Sequence, residues 1–490
     1  MLVPVSLGKL FRRLMRDEGG NAMLLLAAAL IPLLGLIGSG MDLTRGYLVR
    51  SKMQTACDAG SLAARRYMAG GTLDAAAIAE GQKFFNFNFP AGTMDAAPVE
   101  LTFAPDASDV STVNVTAKTT VPTTIMALFG TDKMAVSVEC SADQDYVNND
   151  IMLVLDVTGS MNCTAGTGDS CAYAATEQST SRLSRVRSAT AALYNSLKDA
   201  RGVRTRYGFM PYSMTVNVGS DLQQSWIREP ANYWQKTGNN WAQKSVSHNS
   251  LWYKTTWSGC LEERSTISQG GGASIRISSD VAQGDIDQTG VATSLQWAPY
   301  DPDGTVGETG AYPNLTTFCP AAAQRLSEYN SQNSFQSAVN ASLSKVGGYT
   351  NHDLGITWGM RYLSSSGMFA TDNPETYRQV PVAKHIIFLT DGEMTADSNN
   401  YSAYGIPARE TRMVATGALV DRHKARFLNA CNRARQMGAT IWVIAIDVGA
   451  TADISPCASG SDRFFVSNGS DLDQVFQRIG KGIGRLRLTQ

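Results

Sequence analysis

The sequence predicts an α/β protein: a doubly wound sheet with a large Trp-rich insertion, preceded by a membrane-spanning helix and a small α+β domain. Three observations predict it. Ile151–Leu155, Ile386–Leu389 and Ile441–Ile446 are apolar runs without polar alternation, the pattern of strands buried on both faces of a parallel sheet. Between and after them, segments such as Leu183, Val186, Leu193, Leu197 and Leu472, Val475, Phe476, Ile479, Ile483 carry apolar residues at helical spacing. Strands alternating with helices mean helices on both faces of one sheet. Finally, no residue from Asn21 to Met41 is charged.

The chain has 490 residues, 43% of them hydrophobic and 17% charged, enough for about two to four domains with real cores. A formal net charge of −1 gives no electrostatic case for a nucleic-acid partner. The eight cysteines include no Cys-x-x-Cys pair, which weighs against a zinc or thioredoxin-like site.

Residues 1–20 form a short basic segment with Lys9, Arg12, Arg13 and Arg16. The uncharged stretch 21–41 is long enough to span a bilayer as a helix, which takes about 20 residues. It is long for a signal peptide, and Gly38-Ser39-Gly40 matches an Ala-x-Ala cleavage site poorly, so a retained single-pass anchor is expected. Arg45, Arg50 and Lys52 follow the span, so the positive-inside signal is modest; it favours a cytoplasmic N-terminus. Residues 42–145 read as a small α+β domain. Leu43–Met68 continues the helix outward, Leu73–Phe87 forms a second, and strands are expected at Val113–Lys118 and Met134–Cys140.

Residues 146–490 read as the α/β domain. A helix runs to about Ala200, strands fill Arg204–Val218, and helices follow at Ser334–Val346 and His352–Leu363. Strand His385–Thr390 comes next, then a long helix within Arg409–Gly438, strand Thr440–Ile446, a short strand at Arg463–Val466 and the last helix. Residues 219–335 break this pattern and read as an insertion. They hold Trp226, Trp234, Trp241, Trp252, Trp257 and Trp297, along with Gly270-Gly271-Gly272. Such aromatic residues suit either recognition of a sugar or protein, or the insertion's own small core. Asp301 and Asp303 in Asp-x-Asp-Gly hint at Ca²⁺, but the twelfth position of an EF-hand loop would be Tyr312, not Glu. Within modules the cysteines fall as Cys57 and Cys140, Cys163 and Cys171, Cys260 and Cys319, Cys431 and Cys457. Disulfides in an oxidising compartment or buried thiols both fit this spacing.

The chemistry concentrates where the first apolar run stops, at Asp156-Val157-Thr158-Gly159-Ser160. Ligands of open α/β sheets sit beyond the carboxyl ends of strands. One carboxylate with two hydroxyls is a hard oxygen corner suited to Mg²⁺, Ca²⁺ or Mn²⁺. Asp156-x-Thr158-x-Ser160 resembles the metal-ion-dependent adhesion site of von Willebrand factor type A (vWA) domains. That family has Asp-x-Ser-x-Ser, then a distant Thr and a distant Asp. Here Thr158 replaces the first Ser and keeps the hydroxyl. The distant residues would be Thr350, in Gly347-Gly348-Tyr349-Thr350, and Asp391, after the strand ending in Leu389-Thr390. The resemblance implies a Rossmann-like sheet and a divalent cation, Mg²⁺ first, held by Asp156, Thr158, Ser160, Thr350 and Asp391. It also implies a partner protein or surface that offers the ion a carboxylate.

Gly19-Gly20, Ala22–Gly40, Asp42 and Asp58-Ala59-Gly60-Ser61-Leu62-Ala63-Ala64 resemble the N-terminal region of TadE/TadG-like proteins of tight-adherence (Tad, or Flp) pili. A helix half in the membrane and half on a small sheet is the outline of a pilin. Prepilins carry Glu five residues past the processing Gly, and that position here is Leu25. Together the resemblances imply a TadG-like protein of a bacterial inner membrane, its C-terminal domains in the periplasm or on a pilus. It would meet other pilus subunits through its N-terminal helix and act as a minor pilin-like assembly factor or tip adhesin. The enzyme alternative is a metal-dependent phosphohydrolase using Asp156, because Asp-x-Thr-Gly-Ser resembles the Asp-Lys-Thr-Gly-Thr loop of P-type ATPases. Val157 replaces that Lys, and Thr158 stands where haloacid-dehalogenase-like phosphatases place a second Asp. With no His-Glu-x-x-His and no Gly-x-Ser-x-Gly at a strand end, the sequence points away from a protease. A structural envelope protein with an inactive site is the third class.

Overall fold

The computed structural model describes residues 18–68, 73–106, 112–142, 147–168, 170–173, 176–198, 203–237, 240–247, 257–270, 272, 274–289, 292–301, 317–378, 380–392, 394–449 and 451–484. Lys9, Arg12, Arg13, Arg16, Trp252, Gly271, Pro302, Asp303 and Gly304 lie outside them. The chain is mixed α/β and divides into two compact units between Tyr146 and Val147.

In the first unit, helix α1 (Glu18–Met68) runs unbroken through Pro32. From Leu25 to Ile37 its large apolar side chains are exposed, and this part is apolar enough to cross a membrane. Beyond Asp42 the helix turns one face inward: Val49, Met53, Ala56, Cys57 and Ala64 recur at helical spacing and are buried. They pack with helix α2 (Ala75–Asn88) and an antiparallel sheet of β1 (Glu100–Pro105), β2 (Val113–Pro122) and β3 (Lys133–Ala142). Asp74 caps α2 by accepting the Ala77 N–H at 2.8 Å. Two glycines let the helices approach: a Cβ on Gly60 would lie 3.0 Å from the Gly81 carbonyl, and one on Gly81 would lie 2.9 Å from the Ala64 Cβ. The apolar residues of β1 alternate, but Pro98 shortly precedes the strand and Pro105 ends it, which hides it in the sequence.

The second unit is built on one sheet. Its strands are β4 (Asn148–Asp156), β5 (Thr205–Tyr212), β10 (Gln324–Ser327), β11 (Thr376–Tyr377), β12 (Val380–Thr390), β13 (Ala439–Ile446) and β14 (Phe464–Ser467). The order is β10-β5-β4-β12-β13-β14, with β11 beside β12. Along β5-β4-β12-β13-β14 the pairings are parallel, β10 adds an antiparallel edge, and β11 pairs antiparallel with β12. Every residue of β4 is buried, because both sheet faces are covered. On one face Met152, Val154 and Tyr212 meet helices α5 (His352–Leu363) and α6 (Leu419–Gln436). On the other, Ile151, Leu153 and Leu155 meet α3 (Arg182–Leu197), α4 (Gln332–Ser342) and α7 (Leu472–Ile483). Each large apolar side chain removed from water this way contributes about 1.5–3 kcal/mol before entropy is counted.

Residues 219–335 hold two small ribbons, β6 (Ala231–Thr237) with β7 (Asn240–Val246) and β8 (Leu261–Glu262) with β9 (Ala298–Pro299). The insertion was expected either to display its Trp residues or to bury them in a core of its own; Trp234 and Trp241 do pack in a small separate cluster with Cys260 and Tyr300, joined by Tyr401 and Ile406 from outside the insertion. Trp297 is fully buried in the same cluster as Val154, Tyr212 and Trp358, so the insertion thickens the main core. It also supplies β10, whose Gln-Arg-Leu-Ser sequence has no strand pattern. The helix expected within Arg409–Gly438 begins only at Leu419. All eight cysteines are paired, as Cys57–Cys140, Cys163–Cys171, Cys260–Cys319 and Cys431–Cys457.

Two tests follow from this packing. Gly81→Val should destabilise the first unit by about 1–3 kcal/mol, because the added methyls meet Phe103 and Ala64. This should appear as faster amide exchange across α2, whereas Gly40→Ala, with nothing within 4 Å, should leave that exchange unchanged. His385 is buried in β12, and burial, then the nearby Arg463 charge, push its imidazole down to about 4. The folded chain therefore holds this proton less tightly than the unfolded chain, and stability falls as pH drops from about 6.5 toward about 4. The fall approaches about 1.4 kcal/mol per pH unit. Urea midpoints across that range should show His385→Asn losing this component.

Candidate metal centre

The parallel register pairs Leu389 with Leu155, so β12 and β4 end level with each other. Their ends carry Thr390-Asp391 and Asp156, and the chain turns sharply after each. In the first turn the Thr158 N–H donates to Asp156 Oδ1 at 2.9 Å. The Thr390 hydroxyl donates to the other oxygen, Oδ2, at 2.7 Å. Asp156 is therefore held from both sides and is fully buried.

Ser160 joins the two strand ends: its hydroxyl donates to Asp391 Oδ1 at 2.8 Å and lies 3.2 Å from the Thr158 hydroxyl. The Thr350 loop is tied to the same turn through the backbone. Gly347 N–H donates to the Val157 carbonyl at 2.8 Å, and Gly159 N–H donates to the Gly348 carbonyl at 3.1 Å. Thr350 itself is buried, and its N–H donates to the Thr395 hydroxyl at 3.0 Å. His352, two residues on, closes the ring with Nε2 3.2 Å from the Gly392 carbonyl. That carbonyl only accepts, so Nε2 carries the proton and Nδ1 accepts from the Tyr212 hydroxyl at 3.0 Å. Burial lowers the His352 pKa against the pull of Asp156, which keeps the ring in this neutral form. The three loops carrying Asp156, Thr158, Ser160, Thr350 and Asp391 thus meet at one rim, where Ser160 and Gly392 are partly exposed.

Two further residues belong to this rim. Arg182, at the start of α3, donates to Asp391 Oδ2 at 3.0 Å and to the Ser160 carbonyl at 3.0 Å. Its other nitrogen reaches Asp447 Oδ2 at 2.7 Å. Asp447 follows the apolar run Ile441–Ile446, so the strand-then-carboxylate pattern that marked Asp156 and Asp391 marks it as well. Arg182 had no such signal: a cation at a helix N-terminus opposes the macrodipole.

The electrostatics are those of crowded acids. Burial and the Asp156 charge push the Asp391 carboxyl upward; Arg182 and Ser160 pull it back without cancelling the rise. Three carboxyl groups, Asp156, Asp391 and Asp447, thus gather at this rim around the one guanidinium of Arg182. Two buried carboxylates facing hydroxyl oxygens fit a hard divalent cation, which would relieve the repulsion that raises Asp391. Among the described residues no three His, Cys, Asp or Glu side chains gather as a metal cluster, so an ion here would depend on the hydroxyls.

Residues 20–77 match the family described as "Putative Flp pilus-assembly TadE/G-like". This stretch is TadE/G-like. None of the curated proteins matches the chain. Among solved structures, proximal thread matrix protein 1 from the mussel byssus is 11% identical, with a TM-score of 0.32 over 69% of this chain and 49% of its own. The pilus adhesin SpaC from Lactobacillus rhamnosus GG is 12% identical, with a TM-score of 0.34 over 79% of this chain and 34% of its own. The vWF domain of the type V pili tip protein Mfa5 from Porphyromonas gingivalis is 12% identical, with a TM-score of 0.31 over 70% of this chain and 99% of that domain. The chain spans about half of the mussel protein and a third of SpaC.

Arg182→Met removes the partner of two carboxylates and leaves Asp391 buried without its cation. Breaking a buried pair from one side costs about 3–5 kcal/mol. In chelator, the second unit of this variant should unfold at clearly lower urea than the parent. An unchanged midpoint would show that Arg182 does not hold the rim together.

Proposed function

We propose that the second unit is a vWA-like head, doubly wound, and that Asp156, Thr158, Ser160, Thr350 and Asp391 hold a divalent cation, Mg²⁺ before Ca²⁺ or Mn²⁺. The observation that carries this is the Ser160–Asp391 hydrogen bond, which joins the ends of β4 and β12 and gathers neutral hydroxyls around two carboxylates. Three hydroxyls add no charge, so a bound ion would stay electrophilic toward a further acidic ligand. The function is then adhesion: the head grips a partner protein or surface that presents a carboxylate. The TadE/G-like stretch 20–77 supports placing this head on a single-pass anchor in a bacterial inner membrane, facing the periplasm or carried on a Tad pilus. There the chain serves as a minor pilin-like assembly factor or tip adhesin that meets other pilus subunits through α1. Against a phosphohydrolase, both oxygens of Asp156 already accept hydrogen bonds, from Thr158 and Thr390, which suits a fixed ligand better than a nucleophile.

The test is cation binding to the detergent-solubilised full chain, followed by Mn²⁺ paramagnetic resonance. The parent should bind Mn²⁺ and release it to excess Mg²⁺, and Asp156→Ala should lose binding by at least about tenfold. Equal binding by both proteins would remove the metal from the proposal. In cells, Asp156→Ala should reach the membrane in normal amount and lose pilus-dependent attachment. Attachment at the parent level would remove the adhesive role.

A further inference from the structure

Between β2 and β3 the chain makes a short loop, Ile125-Met126-Ala127-Leu128-Phe129, with no polar side chain. Leu128 is 79% exposed and Phe129 56% exposed. The loop packs against α1 inside the uncharged stretch: a Cβ on Gly35 would lie 2.9 Å from the Phe129 ring, and one on Gly38 would overlap Ile125. Gly35 is seven residues before Asp42, about 10 Å along the helix axis. The loop's exposed face is therefore continuous with the exposed Leu33, Leu34, Leu36 and Ile37 of α1.

A loop in an apolar medium must satisfy its own backbone. Most of this loop's N–H groups find partners within the protein. The Asp42 carboxylate accepts the N–H groups of Thr124 at 2.9 Å, Ile125 at 2.9 Å and Met126 at 2.8 Å. The N–H groups of Leu128, Gly130 and Thr131 donate to the carbonyls of Ile125, Ala127 and Met126 at 3.0–3.1 Å. Thr123 closes the neck by donating its N–H to Asp132 and its hydroxyl to the Thr131 carbonyl. Arg45, Asp132 and Lys133 place charges on the side away from the span, where headgroups and water would lie.

We propose that Ile125–Phe129 is a second membrane-inserting element, a loop that dips beside α1 into the leaflet on the side of the folded units. Lipid is its occupant because the exposed surface extends that of the span and most of the loop's N–H groups already have partners in the protein. The depth fits too: apolar side chains of interfacial elements enter about 5–10 Å below the headgroups. The loop would fix the height and tilt of the first unit on the bilayer, which one helix alone leaves free. The inference rests on α1 crossing the membrane.

All eight native cysteines are paired, so a substituted cysteine is the one thiol open to a nitroxide label. The full chain is reconstituted in phosphatidylethanolamine–phosphatidylglycerol vesicles with a label at Leu128→Cys, Leu33→Cys or Lys118→Cys. Collision with oxygen, which concentrates in lipid, is compared with collision with a water-soluble nickel chelate. The expected ratio of oxygen to chelate is several times higher at Leu128 and Leu33 than at Lys118. A lipid-like Leu33 with a water-like Leu128 would overturn the loop and keep the anchor. Water-like values at both would overturn the anchor itself. A Leu128 label shielded from both agents would mean that another protein surface covers the loop, which also overturns the proposal.

Discussion

The second unit depends on the parallel pairing of β4 with β12. A parallel register leaves no freedom about which residues finish together: once Leu155 faces Leu389, Asp156 and Thr390 leave the sheet side by side and Asp391 stands one residue beyond. Side chains in strands alternate faces, so a slip of one residue would send Asp391 away from Ser160 and expose Ile386 and Phe388 to the wrong helix layer. The apolar core on each face thus enforces the polar geometry at the rim. The Thr390 hydroxyl on Asp156 is the local sign of that register.

What was legible in the sequence follows from how each element is stabilised. β4, β12 and β13 are buried on both sides, and an unbroken apolar run is visible in one dimension. α5 and α7 announce themselves by spacing and appear over the residues expected, His352–Leu363 and Leu472–Ile483. β10 was invisible because an edge strand made of Gln, Arg, Leu and Ser takes its conformation from its neighbour β5. The insertion misled for a related reason. A polar, turn-rich segment looks self-contained, yet Trp297 and Ile277 bury themselves in the neighbouring core.

The rim shows the same division. Asp156, Thr158 and Ser160 were readable from a strand end and spacing, and Thr350 and Asp391 from a resemblance; all lie on loops that meet there. Asp447 obeys the strand-end rule, but no pattern in the sequence demands a third acid there. Arg182 could not have been read, since nothing local favours a cation at the first turn of α3. Its position makes sense only once Asp391 and Asp447 are known to converge on it.

That guanidinium also explains how so acidic a rim folds. Buried carboxylates facing one another repel, and a cation between two of them weakens that repulsion. Arg cannot lose its proton in this setting, and its planar fork serves two acids in fixed directions. It binds the outer oxygen of Asp391 and leaves Oδ1 to Ser160 on the side of Thr158 and Asp156. Arg182 thus neutralises the back of the site and leaves the oxygens on the front arranged together.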